Sequence, residues 1–174
     1  MIKRQPWFER EFPTGLAGHL LPVVVERLRG TPARLGERLT GISRELLIRR
    51  IGDTWSIQEN AGHLLDLEPL WQQRYEDLLN RRPELTMADL TNRQTQEANH
   101  NAMSLDALLR QFRQARAKSV QQLESFPDDQ LQLSAQHPRL KKPMNIVDIA
   151  YFVAEHDDYH LARISELLRE LKAA

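Results

Sequence analysis

The chain has 174 residues, enough for one compact domain with a real core, and its 24 Lys plus Arg balance its 24 Asp plus Glu. A net charge of zero excludes the basic field of a nucleic-acid-binding domain and an acidic tail. The absence of cysteine excludes disulfides, thiolate metal sites and a cysteine nucleophile, so any metal must be held by His, carboxylate or water. Leu occurs 27 times against 14 for Ile and Val together, a bias toward helix formers that predicts an all-α fold.

An arm carrying Trp7, Phe8 and Phe12 runs to Pro13, and a first helical stretch is expected from about Leu16 to Arg29, ending at Gly30, with Pro22 as a break. Thr31 followed by Pro32 reads as a new cap, and Leu35, Leu39 and Ile42 continue at helical spacing, so the first helix is expected to be kinked or in two pieces. This divides the chain into an arm with a first helical segment, residues 1–30, and a bundle, residues 31–174. The second helix starts at a capping box, Ser56-Ile57-Gln58-Glu59, and continues through Leu64, Trp71 and Tyr75 to about Asn80, with a kink at Pro69. A polar segment, Glu84 to Met103, is long enough to roof a site. The third helix is capped by Ser104, carries Leu105, Leu108, Phe112, Ala115, Ser119 and Leu123 on one face, and stops before Pro127. Its Arg110, Arg113, Arg116 and Lys118 read as a solvated face. The fourth opens at Asn145 with Asp148 in its first turn and repeats Ile149, Val153, His156, His160, Ile164, Leu167 and Leu171. Four long amphipathic helices predict a four-helix bundle whose long second connection permits a topology other than up-and-down.

His156 and His160 stand four apart in a stripe that otherwise holds Ile, Val and Leu, one above the other on one face. Two adjacent imidazoles in a core each need a partner, and one shared ion serves both. The third candidate ligand is His63, about a quarter-turn off the apolar arc of the second helix, with Asn60 one turn before it and Gly62 leaving space beside it. Three neutral histidines plus open positions describe a catalytic rather than a closed structural site. His19, His100 and His137 read as hydrogen-bonded packing residues, although His100, with Asn60 and Asp157, is also a candidate neighbour of the site. The run His156-Asp157-Asp158-Tyr159-His160 places Asp157 where HExxH carries its basic Glu, one methylene shorter, which makes a protease reading weak. Glu155, Asp157 and Asp158 are expected as solvated charges or as acceptors for the imidazole N–H groups. Seven arginines between residues 27 and 50 face only Glu37 and Glu45, a surplus that could meet an anionic substrate but is more often plain surface.

The segments Thr54-Trp55-Ser56-Ile57-Gln58-Glu59-Asn60-Ala61-Gly62-His63-Leu64 and Glu155-His156-Asp157-Asp158-Tyr159-His160-Leu161-Ala162-Arg163-Ile164 resemble the DinB/YfiT-like superfamily, over roughly residues 31 to 171. The resemblance implies a down-up-up-down bundle and a divalent metal, nickel or zinc, held by His63, His156 and His160. It also implies an enzyme acting on a small molecule, transferring a low-molecular-weight thiol such as bacillithiol or mycothiol to an electrophile; the cytoplasm is the default address expected from the lack of a signal-peptide pattern and of a long apolar run. A metal-dependent hydrolase, and a non-catalytic metal-containing stress or binding protein, are the alternatives. No signal peptide, no run of about 18 apolar residues and no basic patch point to a membrane or nucleic-acid partner, while the aromatic arm makes a homodimer and a folded-back arm equal expectations.

Overall fold

A computed structural model describes residues 4–173. The helices are α1 (Leu21–Leu39), α2 (Arg44–Ile48), α3 (Ile57–Asp66), α4 (Glu68–Leu79), α5 (Arg93–Glu97), α6 (Leu105–Glu124) and α7 (Ile146–Ala173). β1 (Ser134–Gln136) and β2 (Pro143–Asn145) form a small antiparallel ribbon, Ala135 opposite Met144, that no periodicity announces. None of the described helices is long and apolar enough to cross a membrane.

Cross-helix pairs give the topology. Arg27 and Arg34 of α1 reach Asp158 of α7 while Arg38 lies by Ser165, so α1 and α7 run parallel. Glu68 and Glu76 of α4 meet Arg116 and Gln122 of α6, a second parallel pair. Arg29 meets Glu124 and Gly36 lies by Leu109, so α1 opposes α6. Asn60 meets His160 while Trp71 lies by Phe152, so the α3–α4 unit opposes α7. The order is therefore down-up-up-down around four long units, the second being α3 and α4 end to end.

The first helix is not in two pieces. α1 runs unbroken across Gly30, Thr31 and Pro32, with Pro22 in its first turn where a missing N–H costs nothing. Pro32 deprives the Leu28 carbonyl of its helical donor, and Nη1 of Arg116 supplies one at 3.2 Å. Thr31 is buried rather than capping, its hydroxyl donating to Asp157 at 2.8 Å. In the second unit the kink expected at Pro69 is a full break at Leu67, and Pro69 opens α4. The Ser56–Glu59 capping box is present in both directions. At α7, Asn145 and Asp148 exchange the same reciprocal bonds, 2.9 Å each. Asp148 also accepts the N–H groups of Gly15 and Leu16, so the cap of the last helix pins the arm. Gly15 sits at φ +75°, the left-handed conformation that glycine adopts without strain.

Two apolar cores are stacked along the bundle. One holds Leu28, Trp71, Tyr75, Val120 and Val153; the other holds Leu35, Leu64, Phe112, Ile164 and Leu167. Between them lies a buried polar layer. Arg116, expected on the solvated face of its helix, is 2% exposed and forms ion pairs with Glu68 at 2.6 Å and with Asp157. Ser119 donates to the other oxygen of Glu68. Burial lifts the Glu68 carboxyl above the usual range, against the pull of Arg116, whereas the two carboxylates hold Arg116 protonated despite its burial.

Candidate metal centre

On the α3–α7 side, the same polar layer gathers His63, His156 and His160, all buried. One ring nitrogen from each lies within 4.8 Å of the others, and the ring centroids are 4.6 to 5.3 Å apart. The capping box starts α3 so that His63 falls in its last turn, and the i, i+4 spacing on α7 does the rest. Burial, partly offset by Asp66, pushes His63 down to about 4. Burial and the neighbouring rings push His156 and His160 well below their ordinary value. All three are therefore neutral at pH 7, with a lone pair to offer.

Hydrogen bonds orient two of the rings. Asn60 donates through Nδ2 to the Ser56 and Trp55 carbonyls, which leaves Oδ1 to accept from Nδ1 of His160 at 3.0 Å and frees Nε2 of that ring. Nδ1 of His63 bonds the hydroxyl of Thr95, from α5, at 3.0 Å. Nδ1 of His156 is enclosed with no partner. His63 and His160, held through Nδ1, each keep Nε2 with a lone pair that a cation can take. Three imidazoles suit nickel or zinc.

The cluster opens onto a cavity of about 430 Å³ whose wall includes all three tryptophans, Trp7, Trp55 and Trp71. Trp7 comes from the arm, which folds back on its own chain and packs its ring 5.0 Å from His156 and 5.1 Å from Phe152. Phe12 is buried beside the half-buried Trp7, while Phe8 stays exposed at the cavity rim. Met87 to Leu90 roof the opposite side, as the length of the polar segment allowed.

Of the three candidate neighbours, only Asn60 touches the cluster. Asp157 points into the core, where Thr31 and Arg116 take its oxygens, and its place next to His156 in sequence puts it on a different helix face. Glu155 and Asp158 bond no imidazole; Arg10, Arg27 and Arg34 hold them on the outside of α7. His100 lies outside the cluster, with Nε2 2.8 Å from Asp66 and its ring against Gly62. The space at Gly62 therefore serves His100 rather than His63. A β-carbon there would overlap the His100 ring, so Gly62→Ala is expected to cost about 1–3 kcal/mol in urea unfolding, as overpacking does; an unchanged midpoint would refute the contact. His137 is buried in a loop after β1, and His19 is exposed. Sequence reading missed Thr95, Trp7 and Trp71 as parts of the site: Thr95 and Trp7 carry no spacing signal, and the helical spacing of Trp71 reads as core.

An α-helical bundle of this topology with a three-histidine cluster in its polar layer defines the class. The DinB superfamily model matches residues 27–164, and the chain belongs to that superfamily. Among solved structures it is similar to YfiT from Bacillus subtilis, at 16% identity over 94% of each chain with a TM-score of 0.81. That protein is described as a probable metal-dependent hydrolase with an unusual four-helix bundle topology. No curated protein sequence matches.

Proposed function

We propose that this protein is a metal-dependent enzyme that transfers a low-molecular-weight thiol to a small electrophile, with His63, His156 and His160 holding nickel or zinc. The observation that carries the reading is three neutral imidazoles, two of them held through Nδ1 with Nε2 left free, in the wall of an aromatic-lined cavity. A divalent ion there would lower the pKa of a coordinated thiol or water, supplying a nucleophile that a chain without cysteine lacks. Asn60 and Thr95 fix two of the rings, and the tryptophans limit access of bulk water to them.

The carboxylates favour a thiol over water. Asp157 is committed to the core, and Asp89, the acidic residue of the cavity wall, gives its oxygens to Thr91 and Arg93. Hydrolysis gains from a general base beside its water, whereas a thiol, with a pKa near 8.5, needs less help. Hydrolysis is the second reading, favoured by the description of YfiT.

The test uses untagged protein loaded with nickel or zinc and assayed in two ways. One assay pairs a dinitrophenyl halide with a panel of small thiols; the other offers para-nitrophenyl esters and amides without thiol. Metal-dependent turnover that requires the thiol is expected. Thiol-independent ester cleavage would replace transfer by hydrolysis, and absence of both metal uptake and turnover would overturn both readings.

A further inference from the structure

The cavity has a second polar group in its wall, built only from hydrogen-bond donors. Arg74 of α4 is 2% exposed; Nε donates to the Thr86 carbonyl at 3.0 Å, and Nη1 lies 3.2 Å from Nε2 of His137. Nδ1 of His137 accepts the backbone N–H groups of Arg139 and Leu140, 3.2 Å each, and so carries no proton. The proton of the neutral ring is then on Nε2, where it faces the Arg74 guanidinium, itself only a donor. Arg139 adds a third donor, with Nη2 enclosed and unpartnered and its guanidinium 5.2 Å over the Phe8 ring.

Neither guanidinium has a carboxylate partner among the described residues. Asp77 bonds Thr86 and Arg82, Glu84 bonds Lys141, and Asp89 bonds Thr91 and Arg93. Burial, partly offset by the nearby Asp77 charge, lowers Arg74 to about 10, which leaves it cationic at pH 7, while burial and the two arginines hold His137 neutral. Buried cations and an opposed N–H with no acceptor between them are costly unless an anion completes the arrangement.

We infer that Arg74, His137 and Arg139 form an oxyanion-binding subsite, so that the small-molecule substrate carries a carboxylate or a phosphonate-type group on a flat apolar body. Trp71 and Phe152 supply the apolar wall, and Phe8, Met87 and Leu90, 57 to 68% exposed, supply the rim. This rests on reading the cavity as the substrate site and adds the substrate's charge. Of the seven arginines of residues 27 to 50, Arg27, Arg29, Arg34 and Arg50 are paired with acidic side chains, and none of the seven lines this cavity.

All three tryptophans line the cavity, so intrinsic fluorescence reports its occupancy. Benzoate, phenylphosphonate and neutral benzamide are titrated into the full chain, with and without EDTA, and into Arg139→Gln and Arg74→Gln. Saturable quenching by one or both anions is expected, about tenfold tighter or more than by benzamide, as a charged hydrogen bond provides; the stronger of the two identifies the oxyanion. Arg139→Gln should bring that anion to the level of benzamide, and EDTA treatment of the full chain should leave it unchanged, which separates this subsite from the metal reading. Arg139 is half-buried in a loop, so its variant carries the test if the buried Arg74→Gln fails to fold. No saturable quenching, no preference over benzamide, or a preference lost on EDTA treatment but kept in Arg139→Gln would overturn the subsite.

Discussion

Arg116→Ala is expected to lower the free energy of unfolding by about 3–5 kcal/mol, the usual cost of breaking a buried ion pair from one side. The substitution leaves Glu68 and Asp157 buried without their cation and the Leu28 carbonyl, already deprived by Pro32, without its donor. For a chain of this size, roughly 2–4 °C of melting temperature accompanies each kcal/mol. The combined Arg116→Met, Glu68→Gln, Asp157→Asn variant should recover most of the loss, because amide oxygens still accept from Thr31 and Ser119 and no unpaired charge remains. A cost below about 1 kcal/mol for Arg116→Ala in urea unfolding would mean that the layer is solvated and that the ion pairs contribute little.

The second large effect concerns the cluster. Alanine at His63, His156 or His160 is expected to abolish stoichiometric nickel or zinc binding, since a site of three protein ligands reduced to two retains little affinity. Asn60→Ala keeps all three ligands and loses the bond that orients His160, so metal affinity should fall by about 10–100-fold. Competition against a chromophoric chelator measures both. Stoichiometric metal in any of the three histidine variants would place the ion elsewhere, and an Asn60→Ala affinity equal to wild type would leave the His160 orientation without consequence.

The parts of the site legible in sequence were those carried by a period. His156 and His160 interrupt an apolar stripe at one helical turn, and the Ser56–Glu59 box fixes where α3 begins and hence where His63 falls. The small ribbon was not legible because three-residue strands carry no period long enough to read. Arg116 was misread because a single arginine among exposed ones differs from them only in what faces it. Asp157 was misread for a related reason: adjacency in sequence to a ligand means a rotation of about 100° on a helix, enough to turn the carboxylate from the cavity into the core.

Composition, periodicity and capping by themselves determined an all-α chain, most of its helix starts and the pair of histidines on one turn, because these follow from interactions between residues close in the chain. Tertiary structure alone decided that α1 is unbroken, since the donor that satisfies the carbonyl freed by Pro32 comes from α6. It also decided that the arm folds onto His156, and that Arg74, His137 and Arg139 meet without an acceptor. Each of these depends on side chains brought together from distant segments, where burial sets the cost of an unpaired donor and the packing of the other helices sets which partners are within reach.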